Sequence, residues 1–200
     1  MDEALRSLTE RLRAEAGPGA SGAYERLAAT GDREVLAAVL TEPGQPLWAR
    51  ELVAFRLGTA GDRRSFEALV LLLNHRDPER CASAAHALAR LGDPRTARAA
   101  AALATNELRV AYALQPVRLL VELRAPEAVP ALITTLERRL RPHDPYRKVA
   151  LACAEGLGVL GDARAKRVLN EALAHPALAE AAVHALARLT EDTDPAPDPV

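Results

Sequence analysis

Counting back and forth from one aspartate shows how this chain is organised. The segments Glu25–Asp32 (ERLAATGD), Ala54–Asp62 (AFRLGTAGD), Ser83–Asp93 (SAAHALARLGD) and Ala154–Asp162 (AEGLGVLGD) all close on Gly-Asp. A degenerate copy, ELRAPEAVPAL, puts Ala125 in the same column, so the steps between copies are 30, 31, 32 and 37 residues. A last copy, Ala181–Glu191 (AAVHALARLTE), matches the third at seven of eleven positions. A unit this short cannot bury its own apolar face, so a chain with such a period folds by stacking neighbours.

Other columns give the secondary structure. Five residues before the aspartate stand Leu27, Leu57, Leu88, Leu120, Leu157 and Leu186. Eight before it stand Tyr24, Ala54, Ala85, Val117, Ala154 and Val183. Seven after it stand Val39, Leu69, Ala100, Leu132 and Leu169. Four after it stand Leu36, Phe66, Ala97 and Val129, with a lapse at Lys166. Spacings of three and four are helical. Each repeat therefore reads as helix A, a tight turn, helix B and a loop. Glycine suits the left-handed position that closes helix A, and aspartate caps helix B. Pro94 and Pro126 fall in the first turn of helix B, where a missing N–H costs nothing.

The expected pairs lie at about 21–42, 46–74, 78–105, 107–140 and 146–174, with a lone helix A at 177–189. Within residues 1–20, Leu5, Leu8 and Leu12 mark an amphipathic helix expected to cap the open amino-terminal end. Residues 1–189 are expected to form one domain, and 190–200, rich in Asp and Pro, a disordered acidic tail. Pro116 falls inside the fourth helix A, read as Ala111–Leu123, and is expected to kink it.

Composition agrees with helices and excludes several classes. Alanine (43) and leucine (32) fill 75 of 200 positions, while aromatic residues are only 3%, too few for a sandwich or barrel. The basic residues are arginine except for Lys148 and Lys166, a bias that fits high-GC, bacterial-type coding. The net charge of -1 gives no basic footprint for nucleic acid. No apolar run approaches the roughly 18 residues of a membrane span. The acidic start Met1-Asp2-Glu3 is unlike a signal peptide, and two cysteines make no disulfide framework, so a cytoplasmic location is expected.

The segments Ala87–Pro94 (ALARLGDP), Ala125–Leu132 (APEAVPAL) and Gly158–Asp162 (GVLGD) carry a family likeness. They resemble the HEAT repeat, specifically the short HEAT-like repeat of the phycobilisome-lyase-like subclass, whose unit looks like ALxxLGDPxAVPALIxAL. The resemblance covers roughly residues 21 to 189. It implies an all-α fold, a right-handed α-solenoid (an α-α superhelix of HEAT/armadillo type) of about five helix pairs plus capping helices. It also implies that the B helices line a concave surface, the common binding surface of such arrays.

Two places attract function. Positions +2, +5 and +9 of helix B face outward and gather Arg64, Glu67, Leu71, Arg95, Arg98, Arg164 and Arg167. Planar guanidinium forks beside small apolar positions suit a carboxylate-bearing peptide or an acidic protein surface. A merely solvated helix face accounts for the same residues equally well. The second place is the long connection after the fourth repeat, where Arg138, Arg139, Arg141, His143, Tyr146, Arg147 and Lys148 surround two prolines. It reads as a tolerated linker or as a phosphate or acidic-partner site.

No dinucleotide, Walker, nucleophile-elbow or zinc-protease motif occurs. Cys81 and Cys153 read as small buried hydrophobes, and His75, His86, His175 and His184 as loop or helix-face residues. No metal and no cofactor is expected. The expected function is a non-catalytic adaptor or scaffold that binds a protein or peptide on its helix-B surface. One alternative is a bilin-lyase-like enzyme or enzyme subunit. The other is nucleic-acid or phosphate binding through the 138–148 loop.

Overall fold

The computed structural model describes residues 3–141 and 143–191, with side chains from Arg6 to Leu189. Residues 192–200 of the expected acidic tail, and the side chain of Leu5, lie outside them. The described residues form helices and turns, with no strand among them. They gather into two compact units, divided between Thr96 and Ala97.

The amino-terminal unit contains α1 (Glu3–Ala29), α2 (Arg33–Thr41), α3 (Leu47–Thr59), α4 (Phe66–Leu73) and α5 (Pro78–Leu91). α3 is its centre and packs on α1, α2, α4 and α5. The carboxy-terminal unit contains most of α6 (Arg95–Ala104), then α7 (Leu114–Leu123), α8 (Ala128–Arg139), α9 (Arg147–Leu160), α10 (Lys166–Ala172) and α11 (Ala179–Glu191). There α9 packs on α7, α8 and α11.

The repeat columns correspond to burial. Leu57, Leu88, Leu120 and Leu157 are fully buried, as are Leu69, Ala100, Leu132 and Leu169 in the column after the turn. Leu27 and Leu186, in the first and last copies, are half-exposed. Val183, in the last copy, is exposed. Helix A closes on a left-handed residue at Gly61 (φ 75°), Gly92 (φ 64°) and Gly161 (φ 72°). The following aspartate then caps the next helix, as Asp62, Asp93 and Asp162 accept from the backbone N–H two residues on.

The fourth repeat solves the same turn differently. Arg124, at φ 50°, takes the left-handed conformation that glycine takes elsewhere. Pro116 does not kink its helix. The segment from Glu107 to Tyr112 is 3-10 rather than α, and α7 begins only at Leu114. Pro116 therefore sits in the first turn, where its missing N–H has no helical partner to lose.

Two glycines show how closely the A helices approach. A Cβ on Gly58 of α3 would stand 2.7 Å from Leu69 Cδ1 and 3.2 Å from Ala87 Cβ of α5. A Cβ on Gly158 of α9 would stand 2.7 Å from the Cα of Ala185 in α11.

The first helix is broken at Gly17 (φ 69°), which precedes Pro18. Its first half, expected to cover the open amino-terminal end, makes ion pairs with α3 and α5. Leu8 and Leu12 are buried, and charge does much of the holding. Glu51, on α3 and 1% exposed, ion-pairs with Arg11 and Arg80. It also accepts from Ser83 Oγ at 3.0 Å. Arg80 pairs further with Glu15 and Asp77, and Arg11 with Glu79. A carboxylate this buried is tolerable only with its partners in place.

Candidate functional site

The outward stripe lies where helical geometry requires. Arg64, Glu67, Leu71 and Arg95 are exposed in the amino-terminal unit, and Arg98, Arg164 and Arg167 in the carboxy-terminal unit. Leu71 is 74% exposed, a large apolar side chain in water. On α4 the opposite face, Phe66, Leu69, Leu72 and Leu73, is buried.

Most of the stripe arginines already hold a carboxylate. Arg64 Nε and Nη2 grip Asp62 at 3.0 and 2.7 Å, and Nη1 reaches Glu34 at 2.8 Å. Arg95 grips Asp93 at 3.0 and 2.9 Å and lies over the Phe66 ring, 4.0 Å from its centroid. Arg164 grips Asp162 at 2.9 and 2.6 Å. Arg167 pairs with Glu137 and Glu171.

The same aspartate thus caps the helix with one contact and clamps the arginine two residues on with others. The guanidinium hydrogen bonds are the main cause holding Asp62 and Asp162 below the ordinary carboxylate range, and they bring Asp93 down to about 2. The guanidinium charges of Arg64, Arg95, Arg164 and Arg167 are stabilised in return. Each clamped fork is pre-oriented, with reduced capacity for a new anion.

The basic connection is divided by the structure. Arg138 is structural: Nη1 donates to the carbonyl of Thr105 at 2.7 Å and Nε pairs with Glu107 at 3.1 Å. Arg139 is inserted, its side chain only 9% exposed, with Nη1 3.1 Å from Asp144. Its guanidinium carbon stands 5.8 Å from the centroid of the Tyr146 ring. Arg141, His143, Arg147 and Lys148 are exposed, and His143 adopts φ 61°.

Arg139, Arg141, His143 and Arg147 line one cleft of about 220 Å³, and His175 from the next inter-repeat loop joins them. Lys148 is not part of its wall. By sequence alone His175 is a plain loop residue. The signal was the register: 175 follows Asp162 by 13 residues, the position at which helix B gives way to the next helix A. The cleft brings this junction against the long connection left by the fourth repeat.

The remaining candidates are structural. Cys81 and Cys153 are buried, and burial pushes the Cys153 thiol strongly up, away from the reactive thiolate. Cys81 Sγ donates to the carbonyl of His75 at 3.0 Å. His86 stacks on Phe55 of the preceding repeat, ring centroids 5.7 Å apart. Among the described residues no group of three His, Cys, Asp or Glu could hold a metal ion, and no helix is long and apolar enough to cross a membrane. No protein-family model matches the chain, and no curated protein matches it.

Proposed function

We propose that this chain is a HEAT-like α-solenoid of right-handed type that works without catalysis in the cytoplasm, as an adaptor for a protein or peptide partner. The observation that carries the reading is the outward stripe of helix B, where Leu71 stands 74% exposed and Arg64 and Arg95 are pre-oriented by their aspartates. An exposed leucine on the stripe offers an apolar contact point, and an arginine already fixed loses little rotamer freedom on contact. Arg98, in the carboxy-terminal unit, for which no ion pair is found among the described residues, is the anchor for an acidic partner.

The test uses positions outside the aspartate clamps. Leu71→Asp combined with Arg98→Glu removes the apolar anchor and reverses the free charge. The variant, immobilised beside the unaltered chain, is expected to lose the protein that the unaltered chain retains from native lysate, with far-UV circular dichroism unchanged. Equal retention by both overturns the reading. A visible-absorbance shift on mixing with a bilin would instead favour a lyase-like role.

A further inference from the structure

The arginines of the helix-B stripe and those of the basic cleft differ in one respect that bears on ligands. Arg64, Arg95, Arg164 and Arg167 each hold a carboxylate of this chain. In the cleft, Asp144 is the single acidic residue of the wall, and it engages Arg139. Arg141 and Arg147 have no ion-pair partner among the described residues. Arg139 is more than nine-tenths buried, and its Nε–H has no hydrogen-bond partner. Three guanidinium groups against one carboxylate leave an uncompensated positive charge, concentrated in a concavity of about 220 Å³. Field focusing in such a recess raises the local concentration of anions.

The surroundings narrow the anion. A second cavity, of about 520 Å³, shares Arg147, Pro176 and Ala177 with the basic cleft. Its wall combines Leu151, Ala181 and Ala185 with the carboxylates of Glu155 and Glu180, the guanidinium group of Arg188 and the imidazole of His184. Two carboxylates matched by Arg147 and Arg188 leave this second cavity without the excess positive charge of the first, so it suits the uncharged part of a ligand rather than a second phosphate. The carboxylates would accept hydrogen bonds from hydroxyl or amino groups.

We propose that the two cavities form a binding site for a phosphate monoester with a hydroxyl-bearing organic body of nucleoside size. The phosphoryl group sits among Arg139, Arg147 and His175, with Arg141 and His143 at the rim. The organic part lies over Leu151 and Ala181, within reach of Glu155 and Glu180. None of these residues belongs to the helix-B stripe, so the site stands or falls separately from partner capture there.

Isothermal titration of the full chain with AMP, adenosine and inorganic phosphate tests the site. AMP is expected to bind saturably, and adenosine roughly tenfold or more weaker, the factor that one lost charge-assisted hydrogen bond carries. Inorganic phosphate is expected to compete with AMP. Arg147→Ala, at an exposed first-turn position, is expected to weaken AMP by a similar roughly tenfold factor; His175→Ala provides a second, independently folding check. No saturable binding of AMP at millimolar concentration overturns the proposal, as does equal binding of AMP and adenosine. Tight, steeply salt-dependent binding of a DNA oligomer that AMP fails to displace also overturns it, in favour of a polyanion surface.

Discussion

Glu51→Ala measures whether charge or apolar contact fastens the first half of α1. The carboxylate is 1% exposed and accepts from Arg11, Arg80 and Ser83. Its removal strands Arg80, whose side chain is 9% exposed, with only Glu15 and the longer contact to Asp77. Breaking a buried pair from one side costs about 3–5 kcal/mol. The surviving partners put this case at the lower end, about 3 kcal/mol.

The matched control is Glu25→Ala, which breaks the exposed Arg13–Glu25 pair, worth about 0.2–1 kcal/mol. With urea dependences of about 1–3 kcal/mol per molar, the two variants should differ in unfolding midpoint by about 1 M. Glu51→Leu combined with Arg80→Met removes both buried charges and should recover much of the loss. Coincident midpoints for the two alanine variants would refute the assignment and leave Leu8 and Leu12 as the real fastening.

Arg124→Gly should raise the thermal midpoint, because a non-glycine residue in the left-handed region costs about 1–2 kcal/mol; glycine's extra freedom in the unfolded chain offsets part of this, and calorimetry reads the net gain. Gly158→Ala should destabilise by about 1–3 kcal/mol, since its Cβ would meet the backbone of Ala185 rather than a yielding side chain; chemical denaturation reads it. Asp93 has a folded pKa near 2, below the unfolded value of about 3.9. Its contribution is therefore complete above the unfolded pKa and is lost as pH falls through about 2. The stability difference between the unaltered chain and Asp93→Asn should be present at neutral pH and vanish near pH 2, as read from urea midpoints across pH.

The periodic part of the fold was readable because a helix that stacks on its neighbours repeats its buried positions. Leu57, Leu88, Leu120 and Leu157 announce themselves by spacing alone. The path of α1 was not readable. Its partners Glu51, Glu79 and Arg80 lie 40 to 68 residues away from Arg11 and Glu15, and ionic pairing leaves no period. The stripe positions were legible as exposed, but exposure does not distinguish a free arginine from one folded back on Asp62, Asp93 or Asp162. The basic connection stood out in sequence, yet its cleft needs His175 from another junction. Pro116 misled because 3-10 and α turns share a similar apolar spacing over one or two turns.

The aspartate–arginine clamps also bear on how such a chain can change. Each is complete within three consecutive residues, and none borrows a group from elsewhere to set its turn. A turn of this kind travels with its own segment, so a copy can be duplicated, excised or shuffled without redesigning the junction. The recurrence of Asp-x-Arg at residues 62–64, 93–95 and 162–164 makes the repeat a transferable part. A chain shortened by one 31-residue step, or lengthened by one, inherits a working corner.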